Sequence, residues 1–156
     1  IWLNNGGGIF TDSGLRLGNS DSVGVAIGDV DDDGDLDACI VNRHEQQPDE
    51  VWLNDGFGFF ELGQHLGSSY SDGVAFADLD NDGELDIIIA NAKGQSNEVW
   101  LNNGTGFFIN SGLSLGSSNS REVDIEDLDG DGDLDIFVAN SYGDSNKIWL
   151  NTGNNQ

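Results

Sequence analysis

A nine-residue stretch occurs three times, as DVDDDGDLD over residues 29–37, DLDNDGELD over 78–86 and DLDGDGDLD over 127–135, each copy 49 residues after the last. A fixed period of this size marks a chain of stacked supersecondary units, so it constrains the fold before any single residue is weighed. Four tryptophans, Trp2, Trp52, Trp100 and Trp149, keep nearly the same period.

Each stretch sets carboxylates at its positions 1, 3, 5 and 9 around a Gly at position 6. These are Asp29, Asp31, Asp33 and Asp37 with Gly34; Asp78, Asp80, Asp82 and Asp86 with Gly83; and Asp127, Asp129, Asp131 and Asp135 with Gly132. The Gly permits a tight turn that aims the acids at one point. Position 7 (Asp35, Glu84, Asp133) is expected to add its backbone carbonyl. A flexible shell rich in carboxylates suits Ca²⁺ better than Mg²⁺, which keeps more of its water. Three Ca²⁺ sites are therefore expected. An EF-hand is excluded, because its twelfth position needs a bidentate Glu and here holds Ile40, Ile89 and Val138. The runs behind the loops, LDACIVN, LDIIIAN and LDIFVAN, are apolar, largely β-branched and of strand length.

Charge narrows the function classes. The net charge is −24, and 16 of the 29 acidic residues lie in the three loops, so bound cations would answer much of it and folding would be coupled to ion binding. Five Lys and Arg cannot neutralise a row of phosphates, which argues against nucleic acid and against anionic membranes as partners. No apolar run approaches the roughly 18 residues of a membrane-spanning helix. With no Met, the sequence reads as a processed product or a piece of a longer chain. Cys39 stands alone and aligns with Ile88 and Phe137, the place of a core hydrophobe. The modest affinity expected of such loops fits an extracellular or cell-surface setting rich in calcium.

The repeat is all-β. Its units IWLNNGGGIF, VWLNDGFGFF and VWLNNGTGFF are apolar runs joined by Asn and Gly turns, a hairpin signal. A Ser and Gly link, an inner strand, the acidic loop and another strand complete each unit. One domain over 1–156 is expected, with repeats at 2–51, 52–99 and 100–148 and a partial repeat at 149–156. Four antiparallel strands per unit, with no helical period, describe the blade of a β-propeller, about three blades in this chain.

The DxDxDGxxD loops, the WLNxGxGxF hairpins and the period together resemble the FG-GAP or VCBS-type repeats, related to the integrin α-subunit propeller. The resemblance covers essentially the whole chain. It implies calcium held in the loop between the first two strands of each blade, with Asp29, Asp31, Asp33, Asp37 and their counterparts as ligands. It also implies roles in adhesion, glycan binding or surface structure. Closed propellers need roughly four to eight blades, so part of a larger or oligomeric propeller is expected. Lettered from the axis outward, the strands run C, D, then A to D twice, then A, B, C. The surplus is the third-position strand IWLN, present at both ends. Self-association through these end strands would cover the exposed edges, as a closed ring or as a filament.

No nucleophile–base pair, HExxH, GxSxG or phosphate-binding Gly loop appears, so no enzymatic activity is expected. His44 and His65 lack repeat equivalents. The leading function is a calcium-binding extracellular module with a structural, adhesive or self-assembling role, possible partners being a glycan or a surface protein. The alternatives are a calcium-dependent lectin and a catalytic or non-catalytic part of a carbohydrate-active enzyme. The sites where repeats differ are the better pointers to function. Arg121, Asp124 and Glu126, with Glu122, give the third inner strand a charged character, and Tyr70 and Tyr142 offer rings for stacking on a sugar. Asn103, Gly104 and Thr105 form a glycosylation sequon that also suits a hairpin turn.

Overall fold

The computed structural model describes residues 1–44 and 46–153, so the last three residues of the partial repeat lie outside it. Thirteen antiparallel strands form four sheets. A two-stranded hairpin, β1 (Trp2–Asn4) and β2 (Phe10–Asp12), comes first. Blade 1 is β3 (Ser22–Gly28), β4 (Asp37–Asn42), β5 (Glu50–Asn54) and β6 (Phe60–His65). Blade 2 is β7 (Ser71–Ala77), β8 (Asp86–Asn91), β9 (Asn97–Asn102) and β10 (Phe108–Leu115). Blade 3 has three strands, β11 (Ser120–Glu126), β12 (Asp135–Asn140) and β13 (Lys147–Trp149). The grouping of two, four, four and three strands is the one the lettering anticipates. There is no helix among the described residues, and the sheets do not close into a barrel.

Strand periodicity builds the core. Successive side chains of β8 point to opposite faces, so Ile87 and Ile89 pack toward blade 1 with Val41, Val51, Val74 and Phe108. Ile88 and Ala90 pack toward blade 3 with Val99, Val123, Ile136 and Val138. A strand covered on both faces has to be apolar throughout, which is why DIIIAN lacks the polar alternation of a half-exposed strand. Cys39 is fully buried in the first of these clusters, as a core hydrophobe would be.

The inner strands approach very closely. A Cβ on Gly73 would stand 2.7 Å from the carbonyl oxygen of Arg121, and one on Gly24 would stand 3.0 Å from that of Asp72. The third repeat carries Glu122 at this position, and it is exposed. Glu122, Asp124 and Glu126 point away from blade 2, whose contacts are made by Val123 and Ile125. The charged character of the third inner strand is thus the character of a face with no blade against it among the described residues.

Candidate metal centres

Each acidic loop joins an inner strand to its neighbour, leaving β3, β7 or β11 and entering β4, β8 or β12. Two left-handed residues turn the chain. One is the position 6 Gly, with φ of 94°, 97° and 98° at Gly34, Gly83 and Gly132. The other is position 4, with φ of 63°, 62° and 81° at Asp32, Asn81 and Gly130. Asp, Asn and Gly are the residues that adopt this conformation at least cost, so their occurrence at position 4 was the available signal for the second turn.

The carboxylates organise their own loop. Position 1 accepts the N–H of the position 6 Gly at 3.0, 3.0 and 3.1 Å in the three loops. Position 5 accepts the N–H of position 7 at 2.9, 2.9 and 3.0 Å. Position 9 is buried and accepts two backbone donors. Its Oδ2 takes the N–H of Val30, Leu79 or Leu128, while its Oδ1 takes that of Asn54, Asn102 or Asn151 at 2.8 Å.

These last residues are the Asn of the WLN motif, whose role the sequence reading did not assign. Asn102 Nδ2 also donates to the carbonyl of Val30 in the preceding blade at 2.8 Å, and Asn151 Nδ2 to that of Leu79 at 3.2 Å. Each therefore ties one loop to the loop before it. The signal was its presence in all four WLN copies.

Three carboxylate oxygens lie within 4.8 Å of one another in each of three groups. The first is Asp29, Asp31 and Asp33, the second Asp78, Asp80 and Asp86, and the third Asp127, Asp129 and Asp135. Positions 1 and 3 thus converge everywhere, joined by position 5 in the first loop and by position 9 in the others. Asp37, Asp82 and Asp131 belong to the same loops but lie outside these triads.

The position 7 carboxylates turn elsewhere. A Cβ on Gly56 would come within 2.1 Å of Asp35 Oδ2, and one on Gly153 within 2.3 Å of Asp133 Oδ2; Glu84 sits against Gly104 in the same way at 3.2 Å. The hairpin reads N-x-G because Gly56, Gly104 and Gly153 hold left-handed φ of 70°, 80° and 61°, and the contact uses the space their missing side chains leave. That contact leaves the backbone carbonyl as the atom position 7 can offer inward.

The groups fit a cation on chemical grounds. Asp29 Oδ1 and Asp31 Oδ1 are shut off from solvent without a hydrogen-bond partner. Burial, followed by neighbouring acids, raises the pKa of Asp31, Asp80 and Asp129, the position 3 carboxyl of every loop. Burial likewise raises Asp37, and it lifts Asp86 to about 6. Acids crowded in this way repel one another until a positive charge is placed among them. All three clusters could hold a metal ion.

A family model described as FG-GAP-like repeat matches the chain twice, over residues 29–89 and 78–138. Each match runs from one acidic loop, through the blade core, to the strand behind the next loop. A comparison with curated proteins returns no match.

Proposed function

The chain belongs to the FG-GAP-like repeat family, and we propose that it is a calcium-stapled β-propeller module with a structural, adhesive or self-assembling role outside the cell. The observation that carries this is the convergence of three carboxylates in each of three loops, with Asp29 Oδ1 and Asp31 Oδ1 buried and unpaired. The ion would be held by positions 1, 3 and 5 or 9. Bound there, it would supply positive charge that lets the acids stay ionised together and so fixes the connection between the first two strands of a blade. Oxygen-only donors on a pliable loop favour Ca²⁺ over Mg²⁺. Loops with the affinity typical of extracellular modules, about 10⁻⁴–10⁻³ M, would be filled where calcium is millimolar. No helix among the described residues is long and apolar enough to cross a membrane.

The reading is of a non-catalytic module, and the placement of the reactive groups supports it. Most loop acids are engaged by backbone N–H groups, Cys39 is buried with its thiol pKa pushed up, and His65 lies 3.9 Å from Glu50 on the outer strands. Titration calorimetry with CaCl₂ and MgCl₂ tests the reading: three calcium equivalents with weaker magnesium binding are expected. Absence of calcium binding at millimolar concentration would overturn it.

Self-association belongs to the same proposal. Trp2 and Phe10 of the first hairpin are 65% and 58% exposed, whereas Phe108, the repeat equivalent of Phe10, is 1% exposed in the junction between blades 1 and 2. The matching junction between blades 2 and 3 is a notch of about 630 Å³ lined by Leu113, Leu115, Trp149 and Leu150, among others. Strand β2 of a second copy, with Phe10 in that notch, would supply the fourth strand of blade 3, leaving its β1 as the surplus strand. A monomeric mass by light scattering in calcium would sink this part alone.

A further inference from the structure

Asn103, Gly104 and Thr105 are the one place where the sequence reads Asn-x-Ser/Thr. They sit at the tip of the hairpin between β9 and β10, at the end of blade 2 that carries its acidic loop. The same turn reads Asn5-Gly6-Gly7 in the first hairpin and Asp55-Gly56-Phe57 in blade 1. In all three, Oδ1 of the first residue accepts the N–H of the third, at 2.8, 2.9 and 3.1 Å in chain order. Asp55 does this with a carboxylate, so the turn needs an oxygen at that place and not an amide nitrogen. Gly7 and Phe57 show that it needs no hydroxyl two residues on.

Blade 2 carries both of the groups that the turn can do without. Thr105 Oγ1 donates to Asn103 Oδ1 at 2.7 Å, where Asn5 and Asp55 accept a second backbone bond from Ile9 and Phe59 instead. Asn103 Nδ2 donates to no group among the described residues, and the residue is exposed. Its neighbour Asn102 is the opposite case, buried, with Nδ2 committed to the carbonyls of Val30 and Leu85. Thr105 is exposed as well, while Gly106 holds the tip against blade 1, where a Cβ would stand 3.1 Å from Leu53 Cδ2. A bulky substituent on Asn103 Nδ2 would therefore break no hydrogen bond of the fold and displace nothing in the core.

We infer that Asn103 is an acceptor for N-linked glycosylation. This rests on the extracellular part of the reading above, because the donor, an oligosaccharide carried on a polyprenyl pyrophosphate, is met during export. In the transfer, Nδ2 forms a bond to the anomeric carbon of the sugar. The bond from that carbon to the pyrophosphate oxygen breaks, its electron pair leaves on the pyrophosphate, and the amide gives up one proton to a base of the transferase. Asn-x-Ser/Thr is the pattern such transferases accept, and the middle residue is Gly104 rather than the Pro that blocks it. The glycan would stand beside β10, the outermost strand of blade 2, whose Phe108 pairs with Asn102 and whose Ile109 and Leu113 are 59% and 57% exposed. A bulky, hydrated group at the start of an uncovered edge strand hinders edge-to-edge pairing along it.

The test is to express the chain behind a secretion leader in a eukaryotic cell and to measure its intact mass before and after digestion with peptide N-glycosidase. One glycan is expected, released by the enzyme with conversion of Asn103 to Asp. Thr105→Ala and Asn103→Asp should each abolish it, and Thr105→Ser should retain it. Asp55 serves the same turn in blade 1, so the Asn103→Asp variant keeps its fold, and an unchanged melting temperature in calcium checks this. A secreted wild type without a glycan would overturn the inference, as would a glycan that persists in both Thr105→Ala and Asn103→Asp. Calcium titration of the same secreted protein keeps the two readings apart. Calcium binding without a glycan overturns this inference alone, whereas a glycan at Asn103 without calcium binding supports it and overturns the metal assignment.

Discussion

At the junction between blades 1 and 2 the ring of Phe108 is buried, and its backbone is clamped from both sides by Gln64, at 2.8 Å in each direction. At the junction between blades 2 and 3 the corresponding place is open, and Leu113, the repeat equivalent of Gln64, is 57% exposed. Smaller contacts differ in the same sense. Trp52 and Trp100 donate to Glu50 and Glu98 at 3.0 Å, whereas Trp149 Nε1 has no acceptor because Lys147 stands where the Glu would be. Ser71 Oγ donates to Asp49 at 2.7 Å, while Ser120 Oγ is buried without a partner and Asn97 replaces the Asp. One repeat therefore yields a finished junction and an unfinished one. What distinguishes them is the fourth strand of the later blade and a few side chains that depend on it.

The acidic loops are common to both junctions, so removing the ion should have the largest effect. Chelation is expected to lower the melting temperature by more than about 10 °C, because stabilisation by a bound ligand is lost and the carboxylates are left to repel. Calorimetric scans with and without EDTA check this, and an unchanged melt would defeat the metal assignment.

The next largest effect separates the junctions. Phe108→Ala should cost about 3–5 kcal/mol in chemical denaturation, the usual result of emptying a large buried site. Leu113→Ala should change stability by no more than about 0.5 kcal/mol, since it is exposed. Equal losses would show that the second junction is closed in solution.

Asp49 sharpens the contrast through pH. Burial, the largest cause, pushes its pKa up to about 7, with Glu98 and Glu50 adding to the shift. The folded state thus holds this proton more tightly than the unfolded chain does. Its contribution is fully present below the ordinary carboxylate range and is lost as pH rises through about 7. Asn97 and Asn146 accept the equivalent backbone bonds without charge, at 2.8 and 2.9 Å. In calcium, Asp49→Asn should gain on the wild type by on the order of 2 kcal/mol between pH 4 and pH 8. A difference that stays flat over that range would mean Asp49 is ionised throughout.

The smallest effect is a repair. Lys147→Glu should give Trp149 the acceptor its counterparts have, and raise stability by about 0.5–1.5 kcal/mol. No gain would place the indole differently from those of Trp52 and Trp100.

Much of this architecture was legible from pattern. The alternation in VGVAIGD, the unbroken apolar run of DIIIAN and the N-x-G turns located the strands, because each reports a local preference of the backbone. The acid spacing located the loops for the same reason. Less legible was the division of labour among the acids. Position 9 looked like one ligand among equals, yet both its oxygens accept backbone N–H groups, and the position 7 side chains turn toward the hairpins. The partners responsible lie 7 to 21 residues away, beyond the reach of a local motif.

The sequence by itself determined the period, the all-β character, the three acidic loops and the cation chemistry they suit, since all of these rest on residue type and short-range spacing. Tertiary structure alone decided which oxygens converge, that Asn102 and Asn151 lock each loop to the one before, and that Phe108 fills one junction while another stays open. It also brought Arg43 and Arg121, from different blades, to a single buried Asp72. Those outcomes depend on how closely one blade lies against the next. That distance is set by Gly24 and Gly73 at the inner strands and by the packing of side chains from neighbouring repeats, which no single repeat contains.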